Sequence, residues 1–281
     1  MDKNLYYRYN DSPDENGKPQ HLHELSRDRN IWIPLTGTSG VGNIIAKNLV
    51  WWSAELAAVT CLEAGEKIET IRKEYDEACK SSDKKKAIDA LQKKYPLFKK
   101  ARFAHFERLD DTATEGTDTH ALCEAYLKSV MAGNPISPTD EKVKKLEVWV
   151  KNNVKRVLWS EAYFFSEKFW LGGIGDGGVE LNDGRYFALD FKHAKEVYFN
   201  NLIQIALYII QVEENGGFDK DGNNKFVLDK KIDGMIVFPF GAKNLEEILQ
   251  RQMDKPYSVE EFKQSSLNAL ELMRHKNKFE Q

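Results

Sequence analysis

The pattern of hydrophobic and polar positions changes near Val157. Downstream of it, VLWSEAYFFS, FWLGGIGDGGVEL and RYFALDFK are strand-like runs, and the Asn-Asp-Gly between the last two indicates a hairpin. The chain then predicts a helix in EVYFNNLIQIALYIIQVEEN, a strand in KIDGMIVFPF and a closing helix in SVEEFKQSSLNALELMRHK. Strands that follow a helical half, with a helix between the later strands, predict an α/β fold with a mixed central sheet flanked by helices.

The first half of the chain has a mainly helical pattern. YYRYN and IWIPLT are strand-like, but the segment from Asn43 to Gly65 is apolar around its whole circumference, which predicts a buried helix. The charged segment that follows predicts exposed helices, and two more helices are predicted over residues 117–131 and after the capping residues SPTD. We therefore expect a single domain, with strands and a helical region in residues 1–111 and the core in residues 112–281.

Length and composition limit the class of protein only broadly. The 281 residues suffice for a substantial core, and 41% hydrophobic with 30% charged residues is typical of globular proteins. A net charge of −3 does not identify a nucleic-acid binder, although a local basic groove is compatible with it. The start of the chain lacks a signal-peptide pattern, and no apolar run has the roughly 18 residues of a membrane span.

The cysteine count bears on cofactors and on the compartment. None of the three cysteines lies in a CxxC pair, and three thiols cannot supply the four thiolates of a zinc ribbon or an iron–sulfur cluster. We therefore expect no iron–sulfur cluster. A reduced, cytoplasmic protein without membrane contact is the simplest interpretation.

The strand RYFALDFK ends in an acid and a base on one face. Because side chains alternate along a strand, Phe187, Leu189 and Phe191 form an apolar face, and Asp190 and Lys192 share the other. The Asn-Asp-Gly hairpin folds the preceding strand back, so that Asp176 approaches Asp190. We expect the glycines around Asp176 to let a backbone, metal or phosphate come close.

Two carboxylates and a lysine at one point favour metal-assisted hydrolysis. Carboxylate oxygens suit Mg²⁺, which also binds substrate phosphates directly. Such an ion polarises a phosphoryl oxygen and lowers the pKa of a bound water. Lys192 would orient that water or stabilise charge that develops on the phosphate.

At these residues the chain resembles the PD-(D/E)xK nuclease superfamily, with Asp176 and the Asp190-Phe191-Lys192 triplet as its motif. Three other segments resemble its RecB-like branch, which includes phage-type exonucleases: GTDTHALCEAYL with His120, the Trp-Ser-Glu that contains Glu161, and QIALY with Gln204 and Tyr208. The resemblance covers roughly residues 115–240. It departs from the name motif in that Gly175, not proline, precedes the first aspartate.

The resemblance implies a restriction-endonuclease-like core and a Mg²⁺- or Mn²⁺-dependent deoxyribonuclease. His120, Asp176, Asp190 and the backbone carbonyl of Phe191 would hold the metal, and Lys192 would position the attacking water. Glu161 would support the site. Gln204 and Tyr208, four residues apart on one helical face, would brace the lysine or touch DNA.

The mode of action stays open at this point. The resemblance favours an exonuclease that acts on ends or single strands of DNA, with a recombination or replication protein as partner and an oligomer as an option. A restriction- or adaptation-type endonuclease with the same fold is the first alternative. A nucleic-acid-binding protein without turnover is the second.

Basic residues near aromatic ones are candidates for DNA contact. The first set lies in LQKKYPLFKKARF and consists of Lys93, Lys94, Lys99, Lys100 and Arg102. A second, weaker set consists of Lys151, Lys155 and Arg156. A solvated amphipathic helix with a core side explains the first set equally well.

Overall fold

The computed structural model of the chain describes residues 5–15, 17–42, 68–96 and 118–279. It divides the chain into two compact units, residues 1–46 with 116–281, and residues 47–115. The N-terminal strands therefore lie in the same unit as the later strands, whereas our predicted division grouped them with the helical region.

The unit of residues 47–115 contains two described helices, α2 (Ile68–Cys79) and α3 (Lys84–Lys94). They confirm the charged, exposed helices predicted here. The side chain of Asp83 caps α3 by accepting a hydrogen bond from the Lys86 N–H at 3.1 Å. The buried helix predicted between Asn43 and Gly65 lies outside the described residues.

The larger unit is built around a mixed sheet of seven strands in which β10 pairs in parallel with β7, and β5, β6 and β7 are antiparallel. The main path runs β10-β7-β6-β5-β8-β9, and β4 pairs with β6 off this path. The strands are β4 (Thr36–Gly37), β5 (Val154–Ser166), β6 (Leu171–Leu181), β7 (Tyr186–Lys192), β8 (Gly217–Phe218), β9 (Asn224–Phe226) and β10 (Gly234–Pro239). The predicted order of long strands is confirmed.

One edge of β6 is shared by two strands. β5 follows β6 along its whole length on one side, and on the other side β4 pairs at residues 171–172 and β7 at residues 177–180. Residues 173–176 therefore lie in a gap between these two ladders. Asp176 borders this gap, where β6 and β7 diverge.

Helices cover both faces of the sheet. On one face pack α4 (residues 118–131), α5 (Glu141–Asn153) and α7 (Leu245–Asp254); on the other packs α6 (Phe199–Asn215), with α8 (Val259–Phe279) and the short α1 (Thr38–Gly42) against it. This arrangement confirms an α/β fold with a mixed sheet flanked by helices. Within the described ranges, no helix is both long and apolar enough to cross a membrane.

A small antiparallel sheet precedes the large one. It has the order β1-β2-β3, with β1 (Tyr6–Asn10), β2 (Leu22–Ser26) and β3 (Ile33–Pro34). Tyr7 and Leu25 pack against Phe165 and Phe218 of the large sheet. The strand predicted in YYRYN is confirmed, and IWIPLT contributes only two residues to β3.

Candidate active site

Side chains alternate along β7 as predicted. Phe187, Leu189 and Phe191 pack into the apolar cluster on the α4 face, whereas Tyr186 and Ala188 pack on the α6 face. Asp190 and Lys192 follow the second set. At the gap, the carboxylate of Asp176 accepts a hydrogen bond from the Phe191 N–H at 2.7 Å. The two acids of the predicted motif are thus brought together where β6 and β7 separate.

Asp190 is the most deeply buried acid of this group, with 1% of its surface exposed. Its Oδ1 accepts a hydrogen bond from the Lys192 ammonium at 2.6 Å, but its Oδ2 is buried and has no hydrogen-bond partner in the described residues. Burial, reinforced by the Asp176 charge, raises the pKa of Asp190 to about 6. The carboxylate therefore has an oxygen available to a further positive group.

Lys192 stays charged despite its partly buried position. Burial alone would lower the pKa of Lys192, but the carboxylates of Asp190 and Asp176 outweigh it and hold the pKa above the ordinary value. The side chain is therefore an ammonium, a donor of hydrogen bonds and of positive charge. It is not a group that accepts a proton near neutral pH.

His120 reaches the site from α4, the helix predicted over residues 117–131. Its Nδ1 lies 3.5 Å from the Asp176 carboxylate, and its ring meets the Phe191 ring edge-on at 6.0 Å between centroids. Burial would lower the pKa of His120, but the hydrogen bond to Asp176 and its charge raise it overall. Burial alone would raise the pKa of Asp176, but the hydrogen bond with His120 and the His120 charge hold it below its usual value.

A cavity of about 290 Å³ adjoins this pair. It is lined by His120, Ala121, Glu124, Glu161, Ile174, Asp176 and Phe191. Glu161 lies in β5 with a positive φ of 41°, a conformation that is uncommon for a residue with a side chain. The cavity places Glu161 beside the predicted metal ligands.

Glu124 belongs to the site, and sequence reasoning missed it. It is hydrogen-bonded to Glu161, and that bond, followed by burial, raises the pKa of Glu161 to about 7. The Lys128 ammonium, on the next turn of α4, donates a hydrogen bond to the Glu124 carboxylate. The available signal was the spacing, because Glu124 follows His120 by one helical turn and shares its face.

Gln204 and Tyr208 contact each other on α6. The Gln204 amide donates a hydrogen bond to the Tyr208 hydroxyl at 2.5 Å, and Tyr208 is buried. Burial, then the charges of Asp190 and Asp176, raise the pKa of Tyr208 well above its usual value. The pair therefore lies within electrostatic reach of both acids and stays neutral.

The glycines around Asp176 make room for aromatic rings. A Cβ on Gly175 would lie 2.3 Å from the Phe164 ring, and one on Gly178 would lie 2.1 Å from the Trp159 ring. Side chains of β5 therefore fill the space beside these two glycines, and the approach of a backbone, metal or phosphate to Asp176 stays a prediction.

The predicted basic patches are largely compensated where they are described. Lys94 pairs with Glu74 at 2.7 Å, and Lys93 is exposed, whereas Lys99, Lys100 and Arg102 lie outside the described residues. In the second patch, Lys155 and Arg156 both contact Glu180, and Lys151 pairs with Glu147. The second patch therefore offers little uncompensated positive charge.

The donor set of the site can be tested against a divalent ion. No three His, Cys, Asp or Glu side chains in the described residues form a ready-made metal cluster. The Phe240 N–H, on the β10 side, donates a hydrogen bond to the Lys192 carbonyl at 2.9 Å. Because carbonyl directions alternate along a strand, the Phe191 carbonyl faces the opposite side, toward β6 and Asp176. Together with the Asp190 oxygen that has no partner within the described ranges, this gives carboxylate, carbonyl and imidazole donors of the kind that Mg²⁺ or Mn²⁺ accepts.

Comparison of the chain with protein-family models gives no match, and comparison with curated proteins finds no similar protein. The residues of the site and their surroundings are therefore the basis of the functional conclusion.

Proposed function

We propose that the chain is a Mg²⁺- or Mn²⁺-dependent deoxyribonuclease with a PD-(D/E)xK-type core, acting as an exonuclease on DNA ends or single strands. One observation carries the proposal: an oxygen of the buried Asp190 carboxylate has no partner among the described residues, and it lies beside Asp176 and a charged Lys192. A purely structural acid at 1% exposure would be expected to have both oxygens satisfied.

Asp176, Asp190, His120 and the Phe191 carbonyl would hold the ion, which supplies charge neutralisation and a water of lowered pKa when bound. His120 must then give up its proton to act as a ligand. Asp176 keeps its orientation through the hydrogen bond from the Phe191 N–H. The chain's contribution is thus to fix the carboxylates where the two strands diverge.

Lys192 would act as a fixed positive charge. Because its pKa is raised, it would donate a hydrogen bond to the attacking water or to a phosphate oxygen, and it would stabilise the negative charge that develops on the phosphoryl oxygens as the new P–O bond forms and the scissile P–O bond breaks. The proton of the water leaves to solvent or to another acceptor. Both roles expected from the sequence, orienting the water and stabilising charge on the phosphate, are roles of a hydrogen-bond donor.

The test is the Lys192→Ala variant, assayed on end-labelled single- and double-stranded DNA with Mg²⁺ or Mn²⁺. Cleavage should be lost while folding and DNA binding persist. Lys263→Ala is the matched control, because Lys263 is also partly buried and is held by Glu213 at 2.6 Å and Glu260 at 3.0 Å. Parental cleavage by Lys192→Ala would refute the proposal.

Circular single-stranded DNA tests the mode of action. An exonuclease requires an end, so it leaves a closed circle intact and degrades the same molecule once it is linear. Cleavage of the circle at the rate of the linear form would replace the exonuclease proposal with the endonuclease alternative.

A further inference from the structure

A second feature of the larger unit lies outside the candidate site. A groove of about 790 Å³ runs between β1, the loop after β2 and the β8–β9 hairpin. Its aromatic and basic lining includes Tyr6, Arg8, Tyr9, Arg29, Trp32 and Lys220. Nothing in the proposed chemistry of Asp176, Asp190 and Lys192 uses these residues.

Two guanidinium–aromatic stacks form the wall of the groove. The Arg8 guanidinium lies 4.2 Å from the centre of the Trp32 ring, and the Arg29 guanidinium lies 4.1 Å from the centre of the Tyr6 ring. Tyr6 and Arg8 are alternate residues of β1, so they share one face of the strand. The result is a surface of flat groups, each able to stack on another planar group.

The loop that carries Arg29 is fixed by local hydrogen bonds. Arg29 has a positive φ of 63°, and its N–H is held by the Ser26 hydroxyl at 2.9 Å. The Asp28 carboxylate accepts hydrogen bonds from the next two backbone N–H groups. Arg29 is therefore held over Tyr6 by a built turn, and it makes no ion pair with a described carboxylate.

Arg29 gives the groove a positive charge that no described carboxylate pairs. Arg8, Arg29 and Lys220 line it, although Arg8 also pairs with Glu24 at 2.7 Å and Lys220 with Asp11 at 2.5 Å. The acid Glu214 also lines the groove, but its carboxylate is occupied by the Ser166 hydroxyl at 2.6 Å and by the Glu167 N–H at 3.0 Å. Exposed Asp221 is the remaining acid in the lining.

Aromatic rings connect this groove with the candidate site. Tyr9 lines the groove, and its ring centre lies 5.0 Å from that of Tyr163 on β5. Tyr163 follows Glu161 by two residues, and burial followed by the Glu161 carboxylate raises the pKa of Tyr163 to about 12. A strand bound in the groove would therefore lead past Tyr9 and Tyr163 to the cavity that contains Glu161 and Asp176.

We infer that the groove binds single-stranded DNA, the strand that is delivered to the proposed nuclease site. Stacked planar groups combined with basic side chains fit unpaired bases and their phosphates, whereas the bases of a duplex have no free faces. The inference rests on the proposed function in naming its substrate strand, but the groove can be tested without any cleavage.

The test is the fluorescence anisotropy of a labelled 20-nucleotide oligothymidylate, in EDTA so that no turnover occurs. Tyr6→Ala and Trp32→Ala should each weaken binding about tenfold, because each removes a stacking face. Tyr6→Phe and Trp32→Phe keep that face and should bind within about threefold of the parent protein. Phe199→Ala is the control, since Phe199 is a 51% exposed aromatic residue outside the groove.

Substitutions of Arg29 distinguish the contribution of stacking to DNA binding from that of charge. Arg29→Lys retains the charge but loses the flat guanidinium, so it should bind more weakly than the parent and more tightly than Arg29→Ala. Parental affinity in both Tyr6→Ala and Trp32→Ala would overturn the inference. Because the assay contains no metal, this outcome is independent of whether Lys192→Ala abolishes cleavage.

Cross-linking of the unaltered protein covers the case in which an alanine variant fails to fold. An oligothymidylate with photoreactive 5-bromouracil should attach to peptides that contain residues 5–10, 29–32 or 218–224, the three segments that line the groove. Attachment to other peptides alone would overturn the inference.

Discussion

Two acids on β6, Asp176 and Glu180, lie four residues apart and have opposite surroundings. Glu180 is paired with Lys155 at 2.7 Å and Arg156 at 3.0 Å, and both of these cations are more than half exposed. The hydrogen bond from Lys155 is the main cause that lowers the pKa of Glu180. Asp176 shares its surroundings with a second acid, Asp190, and its cations His120 and Lys192 are largely enclosed.

Under the proposed function, the contrast separates a structural from a functional use of the same residue types. At Glu180, two cations that are more than half exposed compensate one carboxylate, and ion pairs with such solvated partners typically contribute little. At the gap, two carboxylates share buried cations, and one oxygen of Asp190 has no partner among the described residues. A buried carboxylate whose charge is incompletely compensated destabilises the fold, and a bound cation would supply the missing positive charge.

The largest expected effect is that of Asp190→Asn on cleavage. The substitution keeps the shape of the side chain but removes the charge that would hold the metal. DNA cleavage in Mg²⁺ or Mn²⁺ should fall by about 10³-fold or more. Glu180→Gln, the equivalent change four residues from Asp176, should cleave at nearly the parental rate.

Equal losses in Asp190→Asn and Glu180→Gln, with both proteins folded by circular dichroism, would remove the distinction between the two ends of β6. Retained cleavage in Asp190→Asn alone would move the catalytic centre away from the gap.

The second expected effect concerns the pH dependence of stability without metal. The folded pKa of Asp190, about 6, lies above its ordinary 3.8, so its contribution is fully present below about pH 4 and is lost as the pH rises through 6. The parent should therefore lose up to about 3 kcal/mol relative to Asp190→Asn between pH 4 and pH 7.5. Urea unfolding at several pH values measures this difference.

Glu180 supplies the opposite sign for comparison. Its folded pKa is lowered, so its contribution is present above the ordinary pKa and is lost as the solution becomes more acidic. Glu180→Gln should consequently differ from the parent mainly at neutral pH and converge with it in acid. A pH-independent difference between Asp190→Asn and the parent would contradict the buried, raised pKa.

Local patterns predicted the elements that position the motif. The Asn-Asp-Gly signal corresponds to a tight turn with Gly184 at φ 85°, and Asp140 caps α5 as the SPTD segment indicates. Alternation along β7 then fixes Asp190 and Lys192 on one face. These features depend on neighbours in sequence, so single-chain patterns contain them.

The features that were missed depend on distant parts of the chain. β2 was not predicted, because its sequence is polar and its stability comes from pairing with β1. The hydrogen bond between Glu124 and Glu161 likewise joins a helix to a strand. The ring packing of Gly175 and Gly178 is likewise set by β5 across the ladder. Side-chain contacts of this kind follow from packing geometry, which the periodicity of the sequence does not specify.

The third prediction concerns the proton shared by Glu124 and Glu161. Glu124→Ala removes both the hydrogen bond to Glu161 and the neighbouring charge, so the group that titrates near pH 7 should titrate at a lower pH. Carbon-13 NMR of the glutamate carboxyl groups reports this directly, with Glu246→Ala, at an exposed position of α7, as the control. A titration that remains near pH 7 would show that burial alone perturbs Glu161.

The smallest expected effect is that of Lys155→Ala, at the compensated end of β6. Glu180 would retain Arg156 as a partner, and an ion pair whose cation is more than half exposed contributes little because water screens that charge. The midpoint of thermal unfolding should fall by no more than about 3 °C, and cleavage should be unchanged. A larger fall in the midpoint, or a loss of cleavage, would mean that this pair supports the gap through β6. The two ends of the strand would then be coupled, and the structural use of Glu180 could not be separated from the functional use of Asp176.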